Sequence, residues 1–265
     1  LFATMGVRVD RLLDVASGVG TTARIFLDTL SSQKIPMPDV VCLDESVLSL
    51  CLTGQNLLEI LPEEKMGLVC QRIQEATGLA RMFPNKEPFD LATWGNGIHY
   101  LSPEDQRSAL CNIRDNLRPG GFLGISTAFH QEAIPEETKP FYKAHISGAV
   151  RILREKGIER DKTVPSPEAA RYRPASHYRE LLSDVGFKVV SEESFLAMTT
   201  ADFWRGLSDY DQYASGALHG YPLESAREVL VSAVDPAFEQ CAVRGEDGQL
   251  GISRNWLSLF ACRRS

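Results

Sequence analysis

The stretch Asp14-Val15-Ala16-Ser17-Gly18-Val19-Gly20-Thr21 decides the fold. Arg11-Leu12-Leu13-Asp14-Val15 enters it as a short apolar strand. Residues 22–30 leave it as a helix, with Ala23, Phe26, Leu27 and Leu30 at helical spacing. Glycines in a strand-to-helix turn let the backbone approach a ligand closely, and the helix start aims its free amides and positive dipole end at the same place. The spacing Gly18-x-Gly20-x-x-Ala23 also satisfies a dinucleotide fingerprint. Asp14, ahead of the glycines, argues the other way. A carboxylate is awkward beside a pyrophosphate and suited to a cationic amino-acid group.

Working outward, strand and helix signals alternate as in a parallel α/β sheet. Val40-Val41-Cys42-Leu43 is a buried strand ending at Asp44, and Ser46 caps a helix to about residue 58, broken at Gly54. A third strand is expected over residues 67–73, and Phe89-Asp90-Leu91-Ala92-Thr93-Trp94 is a fourth. Ser102-Pro103-Glu104-Asp105 combines an N-cap serine, a first-turn proline and first-turn acids, and opens a helix to residue 117. Arg118-Pro119-Gly120-Gly121 then turns into a strand over 122–127. Residues 128–175 read as an inserted helical lid, rich in proline and aromatics. The repeat resumes with a helix over 177–185, Gly186 as its cap, and a strand over 187–192. Residues 199–240 look irregular, Glu246-Asp247-Gly248-Gln249 reads as a turn, and residues 256–262 close the chain as a strand.

Composition excludes several classes. The 265 residues are 43% hydrophobic and 24% charged, enough to bury a large core, and the net charge of −7 opposes a general grip on nucleic acid or anionic membranes. No apolar run approaches the roughly 18–20 residues of a membrane span, and no signal-peptide pattern opens the sequence, so a cytoplasmic location is expected. The sequence begins on Leu1 rather than Met, so further native residues ahead of it are expected. Cys42, Cys51, Cys70, Cys111, Cys241 and Cys262 show neither CxxC pairs nor Cys/His ligand spacing. They read as reduced, buried thiols, and no metal site is expected.

Taken together, these stretches resemble the class I S-adenosylmethionine-dependent methyltransferases. Asp14 to Thr21 is similar to their first motif, with Ala16 in place of its first glycine. Leu43-Asp44-Glu45-Ser46 resembles their ribose-binding strand end. Phe89 to Trp94 with Ile98-His99-Tyr100-Leu101 resembles their fourth strand and following turn, and Asn116-Leu117-Arg118-Pro119-Gly120-Gly121-Phe122 their fifth-strand entry. The likeness covers residues 10–127 well and the rest loosely. It implies a doubly wound, mostly parallel seven-stranded Rossmann-like sheet with helical lid insertions. The domain boundaries would be a cofactor-binding half over 1–127, a lid over 128–175, and a final part over 176–265 with a second insertion near 199–240. It also implies S-adenosylmethionine as cofactor and S-adenosylhomocysteine as product. Ala16, Ser17, Gly18 and Gly20 would seat the methionine moiety and Asp14 would hold its amino group. Asp44 would accept the ribose hydroxyls, although a turn aspartate is the alternative. Glu45 would flank the adenine. Glu75-Ala76 is the candidate for the adenine amino group, a solvated acid being nearly as good a reading of Glu75. Trp94, Gly95 and Asn96 would line the methyl-donor side.

The acceptor is narrowed by elimination. Thr93-Trp94-Gly95-Asn96 lacks the prolines of the exocyclic-amine enzymes, no cysteine follows a proline as cytosine-C5 chemistry needs, and the loop after the fourth strand lacks a carboxylate cluster for a catechol-type metal. What remains is a small-molecule acceptor, apolar or aromatic, in small-molecule metabolism, secondary metabolism included. Tyr142, His145, Tyr172, Trp204 and Tyr210 are the candidate substrate contacts, and packing within the insertions is the alternative for each. His99 and His130 are candidate general bases, with structural roles as their alternative. Two rival activities stay open: a methyltransferase-like cyclase or binding subunit, and an NAD-dependent oxidoreductase. Neither a nucleic-acid nor a membrane partner is expected, and the oligomeric state is not legible.

Overall fold

The computed structural model describes residues 8–82, 87–245 and 248–264. They form two compact units. One comprises the described residues of Leu1–Thr127, Ser176–Glu193 and Ser258–Ser265, the other Ala128–Ala175 and Ser194–Leu257.

In the first unit, β1 (Arg11–Val15), β2 (Asp39–Asp44), β3 (Met66–Cys70), β4 (Phe89–Gly95) and β5 (Leu117–Thr127) lie in the order β3-β2-β1-β4-β5, parallel at each of these pairings. Beyond β5 come β8 (Leu250–Arg263) and then β6 (Phe187–Thr199), completing a seven-strand path, and the two-residue β7 (Val243–Arg244) pairs with β8 off that path. The fold is therefore the expected mixed α/β sheet. Its central strands are buried on both faces, which is why β1 and β2 read as continuous apolar runs rather than alternating ones. Helices α1 (Thr21–Ser32), α2 (Val47–Leu58), α3 (Pro103–Asn116) and α5 (Ala175–Asp184) belong to this unit, with α4 (Lys139–Glu155) reserved for the other. Leu12, Leu27, Val40, Leu57 and Leu91 share one core cluster with Phe122 and Phe260. Asp90 pins the lower edge. Its Oδ2 accepts from the amides of Asp10 and Arg11 at 2.8 and 2.9 Å, and its Oδ1 from Arg118 Nε at 2.6 Å.

Several sequence expectations are corrected. Helix α2 is not broken at Gly54: a Cβ there would lie 3.2 Å from Leu68 Cδ1, so the glycine admits β3 at close range. β3 stops at Cys70, and Ile73–Glu75 is a 3-10 turn. β5 begins at Leu117, since the Arg118–Gly121 hinge is a bulge that shifts register between Phe89 and Leu91. Of the six thiols, all free, only Cys42 is buried, and Cys51 and Cys70 are exposed.

The largest correction concerns residues 199–240. They are helical, forming α6 (Ala201–Ser208), α7 (Asp211–Ala217) and α8 (Leu223–Cys241). Pro236 and the Gly220-Tyr221-Pro222 run mask a pattern in which Ala226, Val229, Leu230, Ala233, Val234 and Ala237 bury one face. This face packs in the second unit with Phe141, Ala149 and Leu153 of α4 and with Trp204. Of the expected turn at 246–249, Glu246 and Asp247 lie outside the described residues. Among the described residues no helix is long and apolar enough to cross a membrane.

Candidate functional site

The first unit gathers the sequence motifs at the carboxyl ends of β1, β2 and β4, where open α/β sheets place their ligands. The glycine loop is held from three sides. Gly18 N donates to Asp44 Oδ2 at 2.9 Å, Thr53 Oγ1 donates to Gly18 O at 2.7 Å, and Asn56 Nδ2 donates to Val19 O at 2.9 Å. Gly18 and Gly20 adopt φ of 56° and 82°, in the left-handed region that favours glycine. A Cβ on Gly18 would meet nothing within 4 Å, so the loop leaves open space there. On Gly20 it would lie 3.0 Å from Thr53 Cγ2. Ala16, where the resembled motif carries glycine, is also left-handed at φ 49° and bears the cost of roughly 1–2 kcal/mol that a Cβ brings.

Asp14 is buried at the top of β1. Its Oδ1 accepts from Thr93 Oγ1 at 2.7 Å, and its Oδ2 is buried without a partner. Burial pushes its carboxyl up to about 7, against the lowering effect of the Thr93 and Ala23 hydrogen bonds. Ser17 Oγ is likewise buried and unsatisfied. Unsatisfied buried polar atoms are costly, and these two lie near the end of β1 and in the turn that follows it.

Asp44 is half-buried at the end of β2, Oδ2 on the Gly18 amide and Oδ1 accepting from Ser46 N at 2.9 Å. Each carboxylate oxygen retains a second acceptor position. Glu45 is exposed and pairs with Arg72 at 3.3 Å. Arg72 also meets Glu75, which is exposed on the 3-10 turn beyond β3, at 3.5 Å, while Ala76 is buried. Trp94 is buried, and its Nε1 has no partner. After it the chain turns sharply. Gly95 packs on Thr22, whose Oγ1 would stand 2.7 Å from a Cβ, and Asn96 is left-handed at φ 49° with its amide on Ser126 O at 2.8 Å. Gly97 is a site residue that the sequence reading missed. A Cβ there would lie 2.9 Å from Trp94 Cδ1 and 3.1 Å from Ala16 Cβ, so glycine is what lets the two loops nest. The only sequence signal is its place in Gly95-Asn96-Gly97. His99 follows on a 3-10 turn, buried, its Nδ1 3.2 Å from Thr127 Oγ1.

The second unit holds the remaining candidates. His130 is buried, with Nδ1 3.2 Å from Glu132 Oε2 and Nε2 3.3 Å from Asn255 O, so both ring nitrogens face acceptors. His145 Nε2 meets Leu230 O at 2.9 Å, and burial pushes its imidazole below the ordinary value. Trp204 is buried and donates through Nε1 to Thr199 Oγ1 at 2.9 Å. Tyr142 is half-buried and accepts from Arg254 Nη1 at 2.5 Å, whereas Tyr172 and Tyr210 are exposed. Tyr142, His145 and Trp204 share one aromatic cluster with Phe141, and Tyr172 is 6.0 Å from Phe129.

No family model and no curated protein matches the sequence. Solved structures do. A S-adenosylmethionine-dependent methyltransferase from Methanosarcina mazei is 12% identical, with 99% of this chain and 97% of that one covered at a TM-score of 0.51. A Bacillus halodurans protein assigned as a methyltransferase is 16% identical, with 96% and 93% covered at 0.52. The 4+2 cyclase SpnF is 17% identical, with 96% and 75% covered, also at 0.52. With this strand order and this glycine loop, the chain has the fold of the S-adenosylmethionine-dependent methyltransferases.

Proposed function

We propose that this protein binds S-adenosylmethionine in the loop cluster of the first unit and transfers its methyl group to a small-molecule acceptor, releasing S-adenosylhomocysteine. One observation carries the reading: a buried carboxyl, Asp14, with an uncommitted oxygen beside a glycine loop that leaves room for a ligand. That pair suits an aminoacyl group better than a pyrophosphate. Asp14 would hold the ammonium, Ser17 and the Gly18–Gly20 backbone would seat the methionine chain, and Asp44 would take the ribose diol on its free acceptor positions. Glu45 and Glu75 would flank the adenine, with Ala76 beneath it, and Trp94, Gly95 and Asn96 would wall the sulfonium side. When bound, the cofactor supplies an electrophilic methyl group on a positively charged sulfur. The chain's own part is alignment and exclusion of water, which can account for much of such a barrier. The acceptor contacts, Tyr142, His145, Tyr172, Trp204 and Tyr210, are proposed in the second unit, in small-molecule or secondary metabolism.

Mass spectrometry of the purified protein for retained S-adenosylmethionine or S-adenosylhomocysteine, followed by a transfer assay on phenols, amines and carboxylates, tests this reading. Cofactor retention without transfer would favour the cyclase or binding-subunit alternative.

Two predictions arise from the titrating groups. Asp14 must be ionised to hold an ammonium, and its carboxyl sits at about 7 in the ligand-free protein. S-adenosylhomocysteine affinity is therefore expected to weaken by about tenfold per pH unit on going below 7, and to flatten in Asp14→Asn. Calorimetry at pH 6 and pH 8 gives the comparison. The sign for folding is opposite: with its value raised from 3.8, ionisation of Asp14 costs ligand-free stability as pH climbs towards 7.

For the acceptor's proton, the two candidate histidines separate by their surroundings. His130 has both nitrogens turned to Glu132 and Asn255, which suits a brace more than a proton acceptor. His130→Ala is expected to change transfer by less than about threefold, and His99→Ala to lower it by roughly 10²-fold or more with an altered pH profile. S-adenosylhomocysteine affinity is the control. Reversal of the two effects would make His130 the base.

A further inference from the structure

Arg254 in β8 is the most unusual charge in the molecule. Its side chain is fully buried within the second unit. Its guanidinium donates to Ala128 O through Nε at 2.8 Å and through Nη2, and to the Tyr142 hydroxyl through Nη1. The Tyr172 hydroxyl also favours its charged form. Rings surround it: Phe129 at 4.6 Å, Tyr142 at 5.5 Å and Trp204 at 5.8 Å from Cζ to centroid, with Tyr213 close by. Among the described residues no carboxylate approaches it; every partner is a carbonyl or a phenol. The Tyr142 phenol, pushed up to about 12 by burial, stays neutral near pH 7 and does not balance the charge.

A permanently charged group taken out of water is ordinarily paired. A cage of ring faces stabilises a cation through its quadrupoles, yet supplies no formal negative charge. Among the described residues the guanidinium therefore meets no formal negative charge. Tyr172, 36% exposed, is the most open member of the cage.

We infer that Arg254, with Tyr142 and Tyr172, is an anion-binding subsite for the carboxylate of an aromatic acid. The planar guanidinium fork matches a carboxylate in geometry and charge, and the Phe129, Tyr213 and Trp204 faces suit a planar ring attached to it. Identifying that acid as the methyl acceptor rests on the methyltransferase reading; the anion site itself does not.

The probe pair is 4-hydroxybenzoate and its neutral isostere 4-hydroxybenzamide, titrated into the whole protein by calorimetry with S-adenosylhomocysteine titrated separately. The acid is expected to bind at least tenfold more tightly than the amide. That preference should be lost in Arg254→Met and reduced in Tyr172→Phe, a variant at an exposed position that reports even where Arg254→Met does not fold. Equal affinity for acid and amide in the unaltered protein overturns the subsite, as does a preference that survives in folded Arg254→Met. S-adenosylhomocysteine binding without discrimination between the probes counts against the subsite alone. Discrimination without S-adenosylhomocysteine binding counts against the methyltransferase reading alone.

Discussion

Asp44→Ala is expected to weaken S-adenosylhomocysteine binding by about 10- to 100-fold, because hydrogen bonds to a charged acceptor are worth roughly 1.5–3 kcal/mol. The structure adds a second reason to the one the sequence suggests. The carboxylate is the acceptor for the Gly18 and Ser46 amides, both at 2.9 Å, so its removal also releases the glycine loop and the entry to α2. A modest fall in ligand-free stability, about 1–2 kcal/mol, should accompany the binding loss. Asp44→Asn should rescue little, since its amide nitrogen would have to face one of those N–H groups. Calorimetry and thermal unfolding of the three proteins make the comparison. A dissociation constant unchanged in Asp44→Ala would reduce Asp44 to a loop staple and remove it from the ribose site.

Gly97→Ala is expected to destabilise the protein by about 1–3 kcal/mol, the usual range for overpacking, lowering Tm by several degrees. One methyl group would press on the Trp94 ring, 1% exposed and unable to move aside, and on Ala16 at 3.1 Å. The glycine loop would shift with Ala16, so cofactor affinity should fall together with Tm. The same change at Gly206 in α6 meets nothing within 4 Å and should be neutral or slightly stabilising. Equal Tm values for the two variants would show that the Trp94–Gly97–Ala16 contact bears no strain.

What the sequence made legible was local. Strand β1, its glycine loop and α1 follow from a contiguous pattern, and Ser102 caps α3 as its position dictates, accepting from Asp105 N at 3.1 Å. Asp44 was legible as the end of β2 but not as the acceptor for the Gly18 amide, a contact between residues 26 positions apart. Residues 199–240 were opaque because proline and glycine at their helix ends outweigh a diffuse apolar face. Arg254 was opaque for a different reason. A single arginine in an apolar strand carries no motif, and its cage is assembled from Phe129, Tyr142, Tyr172, Trp204 and Tyr213, segments that only tertiary folding unites. Left-handed Ala16 and Asn96 were equally invisible, since residue type alone assigns neither a positive φ.

The most direct measurement is a pair of calorimetric titrations of the unaltered protein, one with S-adenosylhomocysteine and one with NAD. Asp14 beside the glycine loop predicts saturable, micromolar binding of S-adenosylhomocysteine and no heat of binding from NAD. Binding of NAD with no S-adenosylhomocysteine signal would contradict it, and would turn the loop back into a dinucleotide site.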